Sequence, residues 1–185
     1  MIEVVIQGRG GQGAQTAGNL LAAAFFAAGR EVQCFASYGG ARRGAPVSSF
    51  LRVDERPIRL RCDIERADAI LCFDASLLGP ALLACADERT LIVVNSAQTR
   101  AEFARSLPGK QVVPVDGLAI SRRQGLGRIV NSALLGALAR ALQAPSLAVL
   151  EATLTERSPK LHEQNIAACE EGWHCADAVL REEVQ

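Results

Sequence analysis

The stretch Ile2-Glu3-Val4-Val5-Ile6-Gln7-Gly8-Arg9-Gly10-Gly11-Gln12-Gly13, running straight into the Ala/Leu-rich segment from Ala14 to Ala28, decides the fold class. Ile2 to Gln7 is dominated by β-branched residues and reads as a strand. The glycines that follow break regular structure, and from Ala14 onward apolar residues recur at helical spacing until Gly29 closes the helix. Strand, glycine turn and helix in direct succession form the unit from which α/β sheets are wound.

Outward from this unit the alternation continues. Val32 to Ala36 reads as a second strand, and Ser37-Tyr38-Gly39-Gly40-Ala41-Arg42-Arg43-Gly44-Ala45-Pro46 is a loop, too rich in glycine for helix or sheet. Val47 to Val53 reads as a strand that Asp54-Glu55-Arg56-Pro57 turns back toward Ile58-Arg59-Leu60-Arg61, an expected antiparallel hairpin that argues against a purely parallel sheet. Ala69-Ile70-Leu71-Cys72-Phe73 is a continuous apolar run of the kind found in central strands buried on both faces. Leu77 to Cys85 reads as a short helix, Thr90 to Val94 as a strand, and Val112 to Val115 as a strand that Pro114 places at an edge or a bulge. Asn131 to Leu142 and Leu147 to Glu156 are helical by spacing, and a final amphipathic helix runs from Pro159 with an interruption expected near Gly172. The expected architecture is α/β: a single three-layer domain over residues 1–185, with a mixed, largely parallel sheet and a Rossmann-like glycine-rich first β–α turn.

Composition narrows the function classes. With 185 residues, 49% hydrophobic and 22% charged, the chain can bury a sizeable core, which excludes disorder. Twenty basic against twenty acidic residues leave no net charge to draw it to nucleic acid or anionic lipid. Its apolar runs fall far short of the ~20 residues that span a bilayer, and Met1 leads straight into a strand without a leader-like segment. The expectation is a cytoplasmic protein with neither a membrane nor a nucleic-acid partner. The six cysteines form no C-x-x-C pair, the spacing on which iron–sulfur and structural zinc sites are usually built, so no intrinsic metal is expected. Cys34, Cys62, Cys72 and Cys85 lie within or beside apolar runs and read as buried reduced thiols. The stretch Cys169-Glu170-Glu171-Gly172-Trp173-His174-Cys175 reads as a helix end with two packed thiols.

Gly8 to Gly13 fits G-x-G-x-x-G in the strand-to-helix context that gives the pattern meaning. Glycine lets the backbone turn tightly and approach a ligand, and the free amides at a helix N-terminus attract an anion such as a pyrophosphate. The same glycines also suit a β–α turn needed only for packing. An NAD site expects an acid at the end of the second strand, where Ser37 and Tyr38 stand instead. Ser37, Arg42 and Arg43 suit the 2′-phosphate of NADP, and the two arginines equally suit the 3′-phosphate of coenzyme A, a partner's carboxylate, or open solvent. His162 and His174 are the only histidines and no G-x-S-x-G occurs, which argues against a nucleophilic hydrolase. Asp74, Asn95 and Asp116 follow predicted strands and read as turn and helix-cap residues. No catalytic residue is assigned.

Gly8-Arg9-Gly10-Gly11-Gln12-Gly13 with Thr16-Ala17, then Ser37-Tyr38-Gly39, Arg43-Gly44 and Pro46, resembles the gamma subunit of 2-oxoacid:ferredoxin oxidoreductases. Asn131-Ser132-Ala133-Leu134-Leu135-Gly136 resembles a later asparagine-to-glycine segment of that family, and Asn165 to Gly172 its C-terminal helix. The family's loop usually reads Tyr-Gly-Pro-Glu-x-Arg-Gly-Gly; here Gly40, Ala41 and Ala45 replace the proline, the glutamate and the second glycine. The resemblance implies a subunit of a complex that oxidatively decarboxylates a 2-oxoacid such as pyruvate to an acyl-coenzyme A, passing electrons to ferredoxin, or runs the reverse synthesis. It implies alpha, beta and ferredoxin-like delta partner subunits. Thiamine diphosphate and iron–sulfur clusters would sit in those partners, since this chain has neither a Gly-Asp-Gly motif nor cluster spacing. It further implies that Gly8, Gly10, Gly11, Gln12, Gly13 and Thr16 contact coenzyme A, while Tyr38, Arg43 and Gly44 face the shared cleft or a neighbouring subunit. A stand-alone NADP-dependent oxidoreductase and a non-catalytic scaffold subunit are the alternatives.

Overall fold

The computed structural model describes residues 1–38, 45–158 and 160–182. The glycine-rich loop with Arg42, Arg43 and Gly44, together with Pro159 and the last three residues, lies outside the described residues. Strand β1 (Ile2–Arg9) leads into helix α1 (Ala14–Ala27), followed by strands β2 (Glu31–Tyr38) and β3 (Pro46–Asp54). Strand β4 (Ala69–Cys72), a 3₁₀ turn (Ala75–Leu77) and helix α2 (Pro80–Leu83) come next, then β5 (Leu91–Asn95), α3 (Arg100–Ser106) and β6 (Gln111–Val115). Four helices close the chain: α4 (Gly117–Arg123), α5 (Asn131–Leu142), α6 (Leu147–Arg157) and α7 (His162–Arg181).

The six strands form one sheet in the order β2-β3-β1-β4-β5-β6. β1, β4, β5 and β6 pair in parallel, and β3 runs antiparallel to both of its neighbours. This is the expected mixed, largely parallel α/β sheet flanked by helices. Strand residues alternate between two cores. Val4, Ile6, Leu51, Leu71, Val93 and Val113 face α1, α5 and α7, whereas Val5, Phe50, Ile70, Ile92 and Val112 face Leu82 of α2 and Phe103 of α3. Pro114 lies in the edge strand β6, where its missing N–H costs no ladder bond.

The expected hairpin through Ile58–Arg61 does not form. β3 already has a strand on each side, so no free edge remains for a further partner. Residues 55–68 instead cross the sheet as an irregular strap. The guanidinium of Arg52, only 1% exposed, ion-pairs with Glu3 at 2.7 Å and donates to the carbonyl of Asp63 at 3.2 Å. Gln33 donates to the carbonyl of Leu60 at 2.7 Å, tying the strap down a second time.

The expected break at Gly172 is likewise absent, and α7 runs through it uninterrupted from His162 to Arg181. Gly172 serves the contact with α5. A Cβ there would stand 1.9 Å from the carbonyl oxygen of Ala133, and a Cβ on Gly136 would stand 2.0 Å from that of Cys169. The two helices thus touch backbone to backbone at reciprocal glycines. Helix α5 is buried almost throughout, with apolar residues on every side, because α7 covers the face that the sheet leaves open. Helices α3 and α4 were not expected from the periodicity of the sequence, yet each carries a start signal. Thr99 and Glu102 form a reciprocal capping box on α3, and Asp116 accepts from Ala119 N–H at α4.

All six cysteines are free. Cys72 and Cys169 are buried, and desolvation pushes their thiols up to about 11 and about 12. Cys62, expected to be buried, is exposed on the strap.

Gly136→Ala and Gly172→Ala should each lower the stability of the chain by about 3 kcal/mol or more, or prevent folding, because helix backbones cannot yield to a Cβ at 2 Å. Gly79→Ala, where a Cβ meets nothing within 4 Å, should cost less than about 1 kcal/mol. Urea denaturation of the three variants checks the contrast. Alkylation at pH 8 followed by peptide mapping should modify Cys62 in the native protein, and Cys72 and Cys169 only after unfolding.

Candidate functional site

Ligands of open α/β sheets bind at the carboxyl ends of the strands, where successive connections leave on opposite faces. Here that place lies between β1 and β4: α1 covers one face, and the 3₁₀ turn and α2 after β4 cover the other. The glycine loop stands on it. Gly8 is buried in β1, where a Cβ would crowd Phe73, Ala14 and Gln12 at 3.1–3.3 Å. From Arg9 the chain turns on itself: Arg9 N–H donates to Oε1 of Gln12 at 2.6 Å, and Gln12 N–H donates to the carbonyl of Arg9 at 2.9 Å. Gln12 therefore braces the turn with its side-chain carbonyl.

Gly11 and Gly13 have φ of +93° and +91°, a left-handed conformation that glycine adopts without strain. A Cβ on Gly11 would meet nothing within 4 Å, so this part of the loop faces open space. Gly13 caps α1 without a side-chain hydrogen bond. Thr16 is exposed in that same turn.

Arg9 is turned away from the mouth of α1. Its Nε donates to Oδ2 of Asp74 at 2.8 Å and its Nη2 to Oγ of Ser76 at 2.8 Å, bridging the carboxyl ends of β1 and β4. Asp74 also accepts from the hydroxyl and the backbone N–H of Ser76, capping the 3₁₀ turn. The Ser76 hydroxyl foremost, then Arg9, holds the Asp74 carboxyl below the usual 3.8. The cap reading of Asp74 and Asp116 therefore stands, and Asn95 donates to the carbonyl of Phe73 at 3.1 Å.

The loop holding Arg43 and Gly44 leaves from Tyr38 and returns at Ala45. In the ladder Tyr38 pairs with Val47, which pairs with Gly8, and Gly10 N–H donates to the carbonyl of Ala45 at 2.9 Å. The Ala45 end of the loop thus stands on the glycine turn, and the Tyr38 end lies on the far side of β3 from it. The expected site residues from Gly8 to Thr16 are brought together, with the Tyr38 backbone two strands away.

One residue at this place was not singled out as a site residue from the sequence. Asn131, the first residue of α5, is 8% exposed and lies against Gly13, where a Cβ would meet its Nδ2 and Oδ1 at 2.7 Å. The signal available was its position opening the resembling segment Asn131 to Gly136.

Two cavities lie away from the glycine loop. One of about 480 Å³ is formed by Met1 and residues 54–60, and one of about 640 Å³ is lined by Glu3, Asp68, Asp87, Thr90 and others. Both sit at the amino ends of the strands, and Asp54 and Asp87 there are occupied by turn amides of their own chain. Among the described residues no three His, Cys, Asp or Glu side chains are placed to hold a metal, and no helix is long and apolar enough to cross a membrane. The buried thiols, desolvated and far from one another in sequence, do not fit a cluster.

Comparison with known proteins places these features in a wider set. The family profile "Pyruvate ferredoxin/flavodoxin oxidoreductase" matches residues 3–175. The chain is 39% identical over 181 residues to the pyruvate/ketoisovalerate oxidoreductases common subunit gamma of Thermococcus kodakarensis, covering 94% of this chain and 96% of that one. It is 36% identical over 172 residues to the pyruvate synthase subunit PorC of Methanocaldococcus jannaschii, covering 92% and 94%. Among solved structures, pyruvate oxidoreductase subunit PORC of Thermotoga maritima superimposes with a TM-score of 0.81 at 30% identity, covering 94% of this chain and 95% of that one. A 2-oxoglutarate:ferredoxin oxidoreductase of Magnetococcus marinus, solved with 2-oxoglutarate, coenzyme A and succinyl-CoA bound, shares the fold with a TM-score of 0.82 at 22% identity. This chain matches 32% of that one and is itself covered to 98%.

Asp74→Ala should lower stability by about 1 kcal/mol, through loss of the cap on the 3₁₀ turn and of the anchor for Arg9. Because the folded pKa of Asp74 is depressed, its charge contributes fully above the unfolded value and ceases to as pH falls through the folded one. The gap between wild type and D74A in urea midpoint should therefore be widest near neutral pH and narrow as pH falls below the usual carboxylate value of 3.8.

Proposed function

The chain belongs to the pyruvate ferredoxin/flavodoxin oxidoreductase family as a gamma subunit of a keto-acid oxidoreductase, and from that premise we propose that its glycine loop holds coenzyme A for the complex. The reaction is the oxidative decarboxylation of a 2-oxoacid. The acyl group passes to the coenzyme A thiol, carbon dioxide leaves, and two electrons go to ferredoxin through iron–sulfur clusters of partner subunits. Thiamine diphosphate, bound by those partners, supplies the carbanion chemistry. This chain contributes binding and assembly in the cytoplasm with alpha, beta and delta subunits, and it does not turn over substrate alone.

The observation that carries the reading is the open, left-handed glycine turn at the uncapped N-terminus of α1. The positive end of the helix dipole suits a pyrophosphate, and the open side of Gly11 admits the approach of one. In this reading Gly8, Gly10, Gly11, Gln12, Gly13 and Thr16 shape or contact the pyrophosphate subsite. The loop with Tyr38, Arg43 and Gly44, which returns beside that turn at Ala45, supplies a guanidinium for the further phosphate or for a neighbouring subunit. A stand-alone NADP enzyme is not favoured, because β3 separates β1 from β2. The end of β2, which would read the ribose, stands two strand spacings, about 10 Å, from β1 instead of next to it.

The test is coenzyme A titration and steady-state kinetics of the reconstituted complex. A valine at position 11 is forced into a left-handed backbone and points into the approach path, so Gly11→Val should raise the KM for coenzyme A at least tenfold. Arg43→Ala should raise it several-fold through loss of a charge-assisted bond. Unchanged affinity and turnover in both variants would show the reading to be wrong.

A further inference from the structure

The glycine loop does not hold its shape unaided. Gly13 ends it in the left-handed region, and the surface it rests on is the side-chain amide of Asn131, which lies 2.7 Å from the Cβ position through both polar atoms. The amide donates to the Gly13 carbonyl from Nδ2 at 3.4 Å.

Asn131 is itself held from behind. The next residue, Ser132, donates its buried hydroxyl to Oδ1 of Asn165 on α7 at 2.6 Å, and Asn165 donates to the carbonyl of Leu161 at 2.8 Å. The glycine contacts of α5 with α7 fix the same helix end along its axis. Asn131 is thus delivered to Gly13 by the most closely packed pair of helices in the chain.

Resting on the coenzyme A reading above, we propose that Asn131 is a positioning residue of the glycine-loop site. It pins Gly13 in the left-handed conformation so that the first amides of α1 converge, and, being uncharged, it leaves their positive potential to a phosphate of the ligand. The chemistry predicts a separation that a purely structural role would not produce. Asn131→Asp keeps the size of the side chain but sets a carboxylate against the Gly13 carbonyl to which the amide donates; the dipoles of α1 and α5 offset part of that cost, so the fold should lose only modest stability. The same carboxylate repels an incoming phosphate.

The experiment compares wild type, N131D and Gly11→Val in the reconstituted complex, with KM for coenzyme A, kcat at saturating coenzyme A, and thermal midpoint read for each. N131D should raise KM on the order of tenfold, with the loss falling on KM more than on kcat and the midpoint within a few degrees of wild type. The KM ratio should shrink as salt is raised from 50 to 500 mM, since the repulsion is screened. If N131D does not assemble, Asn131→Ser and Asn131→Ala replace it. Without the amide to hold Gly13, the KM should rise several-fold in both. A raised KM in G11V with wild-type KM in the Asn131 variants overturns the role of Asn131 and leaves the coenzyme A reading standing. Wild-type KM in all of them overturns that reading, and this inference with it.

Discussion

The direct backbone contact of α5 with α7 at Gly136 and Gly172 is the constraint on which the site depends. Each glycine faces the carbonyl of a residue on the other helix at a distance no side chain could share. That proximity fixes the height of α5 relative to the sheet, because α5 lies between α7 and the strands. Once α5 is fixed, so is its first residue, Asn131, and with it the floor of the glycine loop. A contact remote from any ligand therefore sets the geometry at the mouth of α1. The buried Ser132–Asn165 bond reinforces the same end of the helix pair, where an unmet hydroxyl would carry a full desolvation penalty.

Much of this was legible in the amino-acid sequence, and the physical reasons for the exceptions are specific. The strand–glycine–helix opening, the buried run from Ala69 and the edge character of the Pro114 strand each follow from local rules of side-chain pattern and backbone chemistry. The failed hairpin at Ile58–Arg61 could not be judged locally. Whether a short apolar segment becomes a strand depends on a free sheet edge, and β3 had spent both of its own on β1 and β2. The alternating residues of the strap instead answer to Arg52, a buried cation whose partners come from Glu3, Gln33 and Asp63, far apart in sequence. Gly172 misled for the opposite reason. Glycine weakens a helix locally, but here close packing outweighs propensity.

The candidate site divides in the same way. Gly8 to Gly13 announces itself, because a strand, a glycine cluster and a helix start are contiguous in the chain. Asn131 does not, since the pairing with Gly13 joins residues 118 positions apart. What could be read was only that Asn131 opens a segment resembling the family's, and a helix-opening asparagine has an ordinary explanation as a cap. The structure removes that explanation. Its side chain serves α1's loop while Val130 occupies the cap position of α5.

The antiparallel strand β3 gives the sheet its functional character. In a wholly parallel dinucleotide-binding sheet the second strand lies beside the first, and its end reads the ribose. Inserting an antiparallel strand between them moves that end away and brings a loop back instead, because an antiparallel neighbour starts where β1 finishes. Pro46 is opposite Arg9, and Ala45 accepts from Gly10 N–H. The segment that carries Tyr38, Arg43 and Gly44 therefore begins across β3 and returns at the glycine turn. The consequence for ligand choice is physical. Where an NAD enzyme keeps a carboxylate for hydroxyl groups this chain has Ser37 and Tyr38, and the sequence that follows carries two arginines, which suit a ligand with more than one phosphate group. Coenzyme A, with a pyrophosphate and a separate 3′-phosphate, has that distribution of charge.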